Sequence, residues 1–142
     1  MSRPGSKKSN DGATATGAGE SHFTRAHTAV GVFVVAQNLD PGNDTLEVSL
    51  EGGFGYGGTN YFTPLLRKDN SVVQVSDSEM TDKDGDGTYT GFVWESNVPV
   101  EQIRARIDTF TDSADSDLTV DTYVLMSNNA SGGGHSFEED SN

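Results

Sequence analysis

Three aspartates at alternate positions, Asp82-Lys-Asp84-Gly-Asp86, run into Gly87 and Thr88, a spacing that could hold a hard cation. In a calcium loop, alternate carboxylates converge on one ion, a glycine makes the bend, and a backbone carbonyl adds a ligand. Asp82, Asp84, Asp86 and Thr88 are therefore the candidate calcium ligands. The pattern stops there. Val93 stands where a bidentate Glu would close the loop, and no flanking helix is predicted, although Glu95 or Asp77 could substitute. The competing reading is an acidic hairpin turn in a chain that is acidic throughout.

Other residues with chemical potential are sparse. His22, His27 and His135 are the only histidines, and a zinc site or hydrolytic triad would need them to converge with acids. They read instead as exposed polar residues. GGFGYGG at 52–58 lacks the Lys-Ser/Thr and the helix of a phosphate loop. It reads as a long mobile hairpin carrying Phe54 and Tyr56, two aromatics that could anchor on a neighbour. Arg67, Arg104 and Arg106 are the basic cluster of the body, suited to cross-strand pairing with acids or to a subunit contact. Sequons at Asn43 and Asn129 are expected to be unmodified. No nucleophile or acid–base arrangement is visible, so no enzyme is expected.

The charge sets the environment. Twenty-two acids face nine bases, a net of −13, with four lysines and no cysteine. A chain so charged would self-repel in ordinary buffer, where the Debye length is about 8–10 Å, and would not at about 1 M salt, where it is about 3 Å. The composition reads as adapted to molar salt. A nucleic-acid surface is disfavoured, because the phosphate contribution would be repulsive. Without cysteine there is no disulfide and no thiol chemistry. No apolar run approaches the roughly 20 residues of a membrane span. The first twenty residues lack the apolar segment of a cleaved leader, and the chain is expected to fold in the cytoplasm.

The elements that must position these residues follow period two. At 45–51, Leu46, Val48 and Leu50 alternate with Thr45, Glu47, Ser49 and Glu51. The same pattern recurs at 103–109 and 118–126, each with one apolar and one polar face. Runs at 29–36, 60–67, 71–76 and 88–95 complete about seven strands, separated by Gly, Asn, Asp and Pro turns. That predicts an all-β fold: a single antiparallel β-sandwich, Ig-like or jelly-roll-like, over 22–126. Residues 1–21 and 127–142 read as flexible N- and C-terminal arms, since their composition buries too little to offset ordering entropy.

The apolar content of 32 % is low for a self-sufficient core, which favours a homo-oligomer. The first 25 residues carry Arg3, Lys7, Lys8 and Arg25 against Asp11 and Glu20, so the remainder holds −15. A mildly basic arm on an acidic body suits an acidic neighbour. The segment 29–36, apolar on both faces, is expected to meet the core on one side and a partner on the other. The expected partner contacts are thus Arg3, Lys7, Lys8, Val30, Val32, Phe33, Phe54 and Tyr56.

The order of segments resembles small virion structural proteins of tailed viruses. The stretches that carry it are 46–54 (LEVSLEGGF), 65–75 (LRKDNSVVQV after Leu65), 89–94, 103–110 (IRARIDTF) and 118–124. It spans roughly 45–124 and departs from the pattern in its longer glycine loop at 52–58 and its acidic insertion at 76–87. The resemblance implies a non-enzymatic capsid decoration or turret protein of a tailed virus, here of a halophilic archaeon. Its partners would be itself and the major capsid protein, and its location the virion, after assembly in the host cytoplasm. A tail or head–tail component, and a calcium-dependent surface- or carbohydrate-binding module, are the alternatives. The salt reading has a direct check: the thermal midpoint is expected to rise between about 0.1 M and about 3 M KCl as repulsion is screened. A midpoint that falls across that range would refute it.

Overall fold

The computed structural model describes residues 5–113 and 117–128. Ten strands follow in chain order: β1 (Gly5–Ala13), β2 (Gly17–Ala18), β3 (His22–Phe23), β4 (Ala29–Gln37), β5 (Thr45–Tyr56), β6 (Thr59–Pro64), β7 (Gln74–Ser76), β8 (Thr88–Glu95), β9 (Gln102–Thr111) and β10 (Thr119–Ser127). One sheet has the order β1-β10-β4-β8; the other runs β2-β9-β5-β6, with β3 also on β9 and β7 also on β5. All pairings are antiparallel. The chain is an all-β sandwich, as its alternation predicts.

Alternation decides what lies between the sheets. Val30, Val32, Val34 and Ala36 of β4 and Val120, Val124 and Met126 of β10 face Leu46, Val48 and Leu50 of β5 and Ile103, Ala105 and Ile107 of β9. All but Met126 are fully buried. β-branched residues dominate, and their stiff side chains suit a pleated surface. Gly91 belongs to the same layer: a Cβ there would meet Val75 and Met80 at 2.5 and 2.9 Å.

The N-terminal segment corrects the expectation of an arm. Residues 5–13 form a full edge strand on β10, from Gly5 opposite Met126 to Ala13 opposite Val120. An edge strand exposes most of its side chains, so polar composition conceals it. Its register slips between Lys8 and Asn10, and at this irregularity Ser9 and Asn10 turn inward and are buried. The Thr122 hydroxyl donates to Asn10 Oδ1 at 2.8 Å and accepts from the Asn10 N–H at 2.8 Å. Ser9 reaches across to the other sheet: its hydroxyl accepts from the Ala105 N–H at 3.0 Å and donates to the Glu20 carbonyl at 2.8 Å. The C-terminal tail expected at 127–142 lies beyond the described residues from 129 onward; Ser127 closes β10 and is buried.

The glycine stretch is also more regular than its composition suggests. β5 runs through it to Tyr56, and β6 returns after a two-residue turn at Gly57 and Gly58, with φ of 61° and 84°. Positive φ at both central positions is the hairpin turn that matches strand twist. Gly53 is needed for packing, because a Cβ would overlap the Phe62 ring at 2.5 Å.

Ser9→Ala would leave the buried Ala105 N–H and the Glu20 carbonyl without partners. Each orphaned group costs roughly 1–3 kcal/mol, so denaturant unfolding should show a loss of about 2–4 kcal/mol. A loss below about 0.5 kcal/mol would mean that the two sheets do not depend on this link.

Candidate functional site

The acidic loop at 82–87 is built around one carboxylate turned inward on its own backbone. Asp82 Oδ1 accepts from the N–H groups of Gly85 (2.8 Å) and Asp86 (3.1 Å), and Oδ2 from that of Gly87 (2.9 Å). Asp86 Oδ1 accepts from the Thr88 N–H at 3.1 Å. Both Asp82 oxygens and one Asp86 oxygen are thus engaged in turn formation. Among the described residues no group of three or more His, Asp or Glu side chains is placed to hold a metal ion. Asp82 and Asp86 thus cap the turn that also carries Asp84 and Thr88, an arrangement that suits the acidic-turn reading; of the substitutes for a closing Glu, Glu95 pairs with Arg67 at 3.0 Å and Asp77 accepts from the Leu46 N–H at 2.9 Å.

This turn lies at one end of the sandwich with two other acidic loops. Asn38 joins them, its N–H donating to the Gly87 carbonyl (2.8 Å) and its Nδ2 to the Asp117 carbonyl (3.2 Å). Asp44 accepts from the Ser113 N–H at 2.8 Å and from the Asp40 N–H at 2.8 Å. Burial opposes ionisation of Asp44, but these N–H groups and the Ser113 hydroxyl outweigh it, holding the carboxyl below its ordinary range.

The expected contacts on β4 divide by face. Val30 and Val32 are fully buried in the core and cannot meet a partner, because the sheet alternation turns them inward. Phe33 faces outward, in register with Tyr123 on one side and Phe92 on the other. Its ring centroid lies 6.3 Å from that of Tyr123, and Lys8 Nζ sits 5.4 Å from the Tyr123 centroid. Lys8, Tyr123, Phe33 and Phe92 thus make one row across the four strands. Lys8 is further held by Asp11 at 3.2 Å and Asp121 at 3.8 Å, and the Asp11 bond raises its pKa. Arg3, His135 and Asn129 lie outside the described residues.

The arginines do not cluster. Arg67 pairs with Glu95 (3.0 Å), Arg104 with buried Glu51 (2.7 Å), and Arg106 with Asp108 (3.6 Å). Arg104 also lies over the Phe62 ring, 3.9 Å from its centroid. Of these, Arg104–Glu51 is the cross-strand pair expected of a wet sheet face; Arg106 and Asp108 are two apart on β9, and Arg67, beyond the end of β6, reaches Glu95 of the other sheet.

Phe54 and Tyr56 behave differently. Phe54 is directly opposite Tyr61, a residue that sequence reading did not single out, and Tyr56 is opposite Thr59. β9 pairs with β5 only as far as Gly53, so the ribbon continues past the body without a flanking strand. By alternation, Phe54 and Tyr56 share the face of Leu50, and Tyr61 joins them. Their exposures are 42, 79 and 60 %. The sheet's interior face therefore runs on into solvent as three co-facing aromatic side chains.

A second feature had no sequence signal. The turn joining β3 to β4 has the His27 N–H donating to the Thr24 carbonyl at 2.9 Å, with φ of 49° at Arg25 and 70° at Ala26. Gly, Asn and Asp normally fill such positions, and other residues there cost about 1–2 kcal/mol each. Thr24 anchors it, its hydroxyl donating to the Val100 carbonyl at 2.6 Å and its N–H to that of Glu101 at 2.9 Å. Against the turn lies a cleft of about 400 Å³ lined by Lys7, Ser21, His22, Phe23, Arg25 and His27 among others.

Asp82→Ala removes the cap of the acidic turn and is expected to cost about 1–2 kcal/mol in thermal unfolding. Calcium at millimolar concentration, titrated calorimetrically in high potassium chloride, is expected to give no binding heat. A saturable heat lost in Asp82→Ala would restore the calcium loop.

No protein-family model matches the chain. No curated protein matches it. Among solved structures, it is similar to the crystal structure of the SPBc2 prophage-derived protein YomS, with a TM-score of 0.44 and 10 % identity over 88 % of this chain and 95 % of that one.

Proposed function

We propose that the protein is a non-enzymatic virion structural protein: a capsid decoration or turret subunit of a tailed virus of a halophilic archaeon, which assembles with copies of itself and with the major capsid shell. The observation that carries the assembly reading is the β5–β6 ribbon. Exposed aromatics in a row are the residues that anchor protein interfaces, and the two-residue glycine turn presents them on a regular ladder. The order of segments in the sequence, which resembles that of small virion proteins of tailed viruses, supports the viral setting. The charge of −13 supports the saline one. The self-capped aspartate turn gives the calcium-dependent module no support.

Replacing Phe54, Tyr56 and Tyr61 together by Ser should change thermal stability little, because the rings are exposed. It should weaken self-association, or binding to shells of the neighbouring capsid gene product, by about thirtyfold or more. Mass photometry and co-sedimentation in high salt read both. Unchanged binding in both assays would reject the ribbon as an assembly surface, and a wild-type chain that is monomeric and ignores the shell would reject the function.

A further inference from the structure

We infer that the cleft between β1 and the turn at 24–27 is a carboxylate-binding site, and that its occupant is the acidic loop end of a second copy of this chain. This names a contact for the self-assembly reading and rests on that reading for the identity of the occupant.

The cleft is lined by basic groups without acids. Lys7, His22, Arg25 and His27 line it, and no Asp or Glu does. Four of the described cations, Lys8, Arg67, Arg104 and Arg106, each have a carboxylate within 4.0 Å. Lys7, Arg25, Lys68 and Lys83 have none among the described residues, and of these four Lys7 and Arg25 line the cleft. Lys7 is opposite Val124, an inward position of β10, so it points along the open side of the sandwich, whereas Lys8 points to the outer face. Arg25 is presented by a backbone conformation that only the anchored turn maintains, with its guanidinium carbon 5.7 Å from the Phe23 centroid. Two cations in a recess, with no carboxylate within 4.0 Å among the described residues, leave a site for an anion.

The strand register says where the matching anions are. Gly5, Met126 and Val30 are aligned at the cleft's end of the sheet, and Ala13, Val120 and Ala36 at the other. The loops at 38–44 and 82–87, with residues 112, 113 and 117, occupy that other end, stitched together by Asn38 and Asp44. A nine-residue strand such as β4 separates the ends, about 30 Å, so a copy's own acidic loops cannot reach its own cleft. The contact is therefore between unlike surfaces of two copies, head to tail, and it grows unless the rotation closes a ring. In molar salt, screening removes long-range attraction, but ion pairs made at contact inside a recess persist.

Sedimentation velocity in about 1 M KCl tests this with two charge-reversed chains. One carries Lys7→Glu and Arg25→Glu; the other carries Asp84→Lys and Asp117→Lys, chosen because neither carboxylate holds its own loop. Wild type is expected to gain mass with concentration. Each reversed chain alone should associate at least about tenfold more weakly. The two mixed should regain association, since the intact loop end of one meets the intact cleft of the other and the two reversed surfaces are again opposite in charge. Reversed chains that associate like wild type, while loss of Phe54, Tyr56 and Tyr61 abolishes association, would overturn the cleft and leave the assembly reading standing. A mixture that stays monomeric would overturn the pairing of the two ends. Stabilisation of wild type by inorganic phosphate, abolished by Lys7→Glu and Arg25→Glu without any effect on association, would assign the cleft to free anions and overturn the second-copy occupant.

Discussion

The sandwich depends on one buried hydroxyl. Between Ser9 and Gly19 the chain leaves the sheet that holds β1 and joins the one that holds β9, and the crossing is fixed at Ser9. Its hydroxyl satisfies Ala105 and Glu20 at once, and the Glu20 N–H returns a bond of 2.7 Å to the Ser9 carbonyl. Gly19 passes so close that a Cβ would stand 2.4 Å from the Ser9 hydroxyl oxygen. Burying these groups unpaired would be costly, so the crossing has a single satisfactory geometry. The edge strand is fixed against β9 by that closure, and the turn at Arg25 is held beside it by Thr24 on Val100 and Glu101.

The central strands were legible because alternation is a direct record of burial. Leu46, Val48, Leu50, Ile103, Ala105 and Ile107 point inward as their spacing predicts. The N-terminal strand was hidden because an edge strand needs only backbone pairing, and Gly, Ser and Lys provide that as well as Val does. Residues 29–36 misled for the opposite reason. Their outward residues, Phe33 and Val35, are half-covered by neighbours on the same sheet, so apolar character on both faces did not require a partner against Val30 and Val32. The cleft could not have been read from sequence at all, since it joins β1 to a turn whose positive φ angles fall on Arg and Ala.

Acidity and chemistry separate in the same way. The aspartates that look most like metal ligands serve the turns they sit in, as Asp82 does for three backbone N–H groups and Asp69 does for Ser71, whose N–H and hydroxyl both donate to it. A surplus of Asp over Glu fits that use, because the shorter side chain reaches its own backbone. Charge then accumulates where such turns gather, as at the end of the strands that holds the loops at 38–44 and 82–87. An excess spread along the sequence becomes a concentration in space.

The β5–β6 ribbon has a consequence for the cost of docking. A flexible loop bearing three aromatic rings would lose backbone freedom on binding, on the order of 1–2 kcal/mol for each residue ordered. In the ribbon that freedom has already been lost, through the ladder between Gly53 and Tyr56 and the tight glycine turn. Contact made by Phe54, Tyr56 and Tyr61 would therefore be reduced by the loss of rigid-body and side-chain freedom but not by backbone ordering. The ribbon is a fragment of protein interior prepared in advance, and whatever covers it completes a layer that the chain itself leaves unfinished.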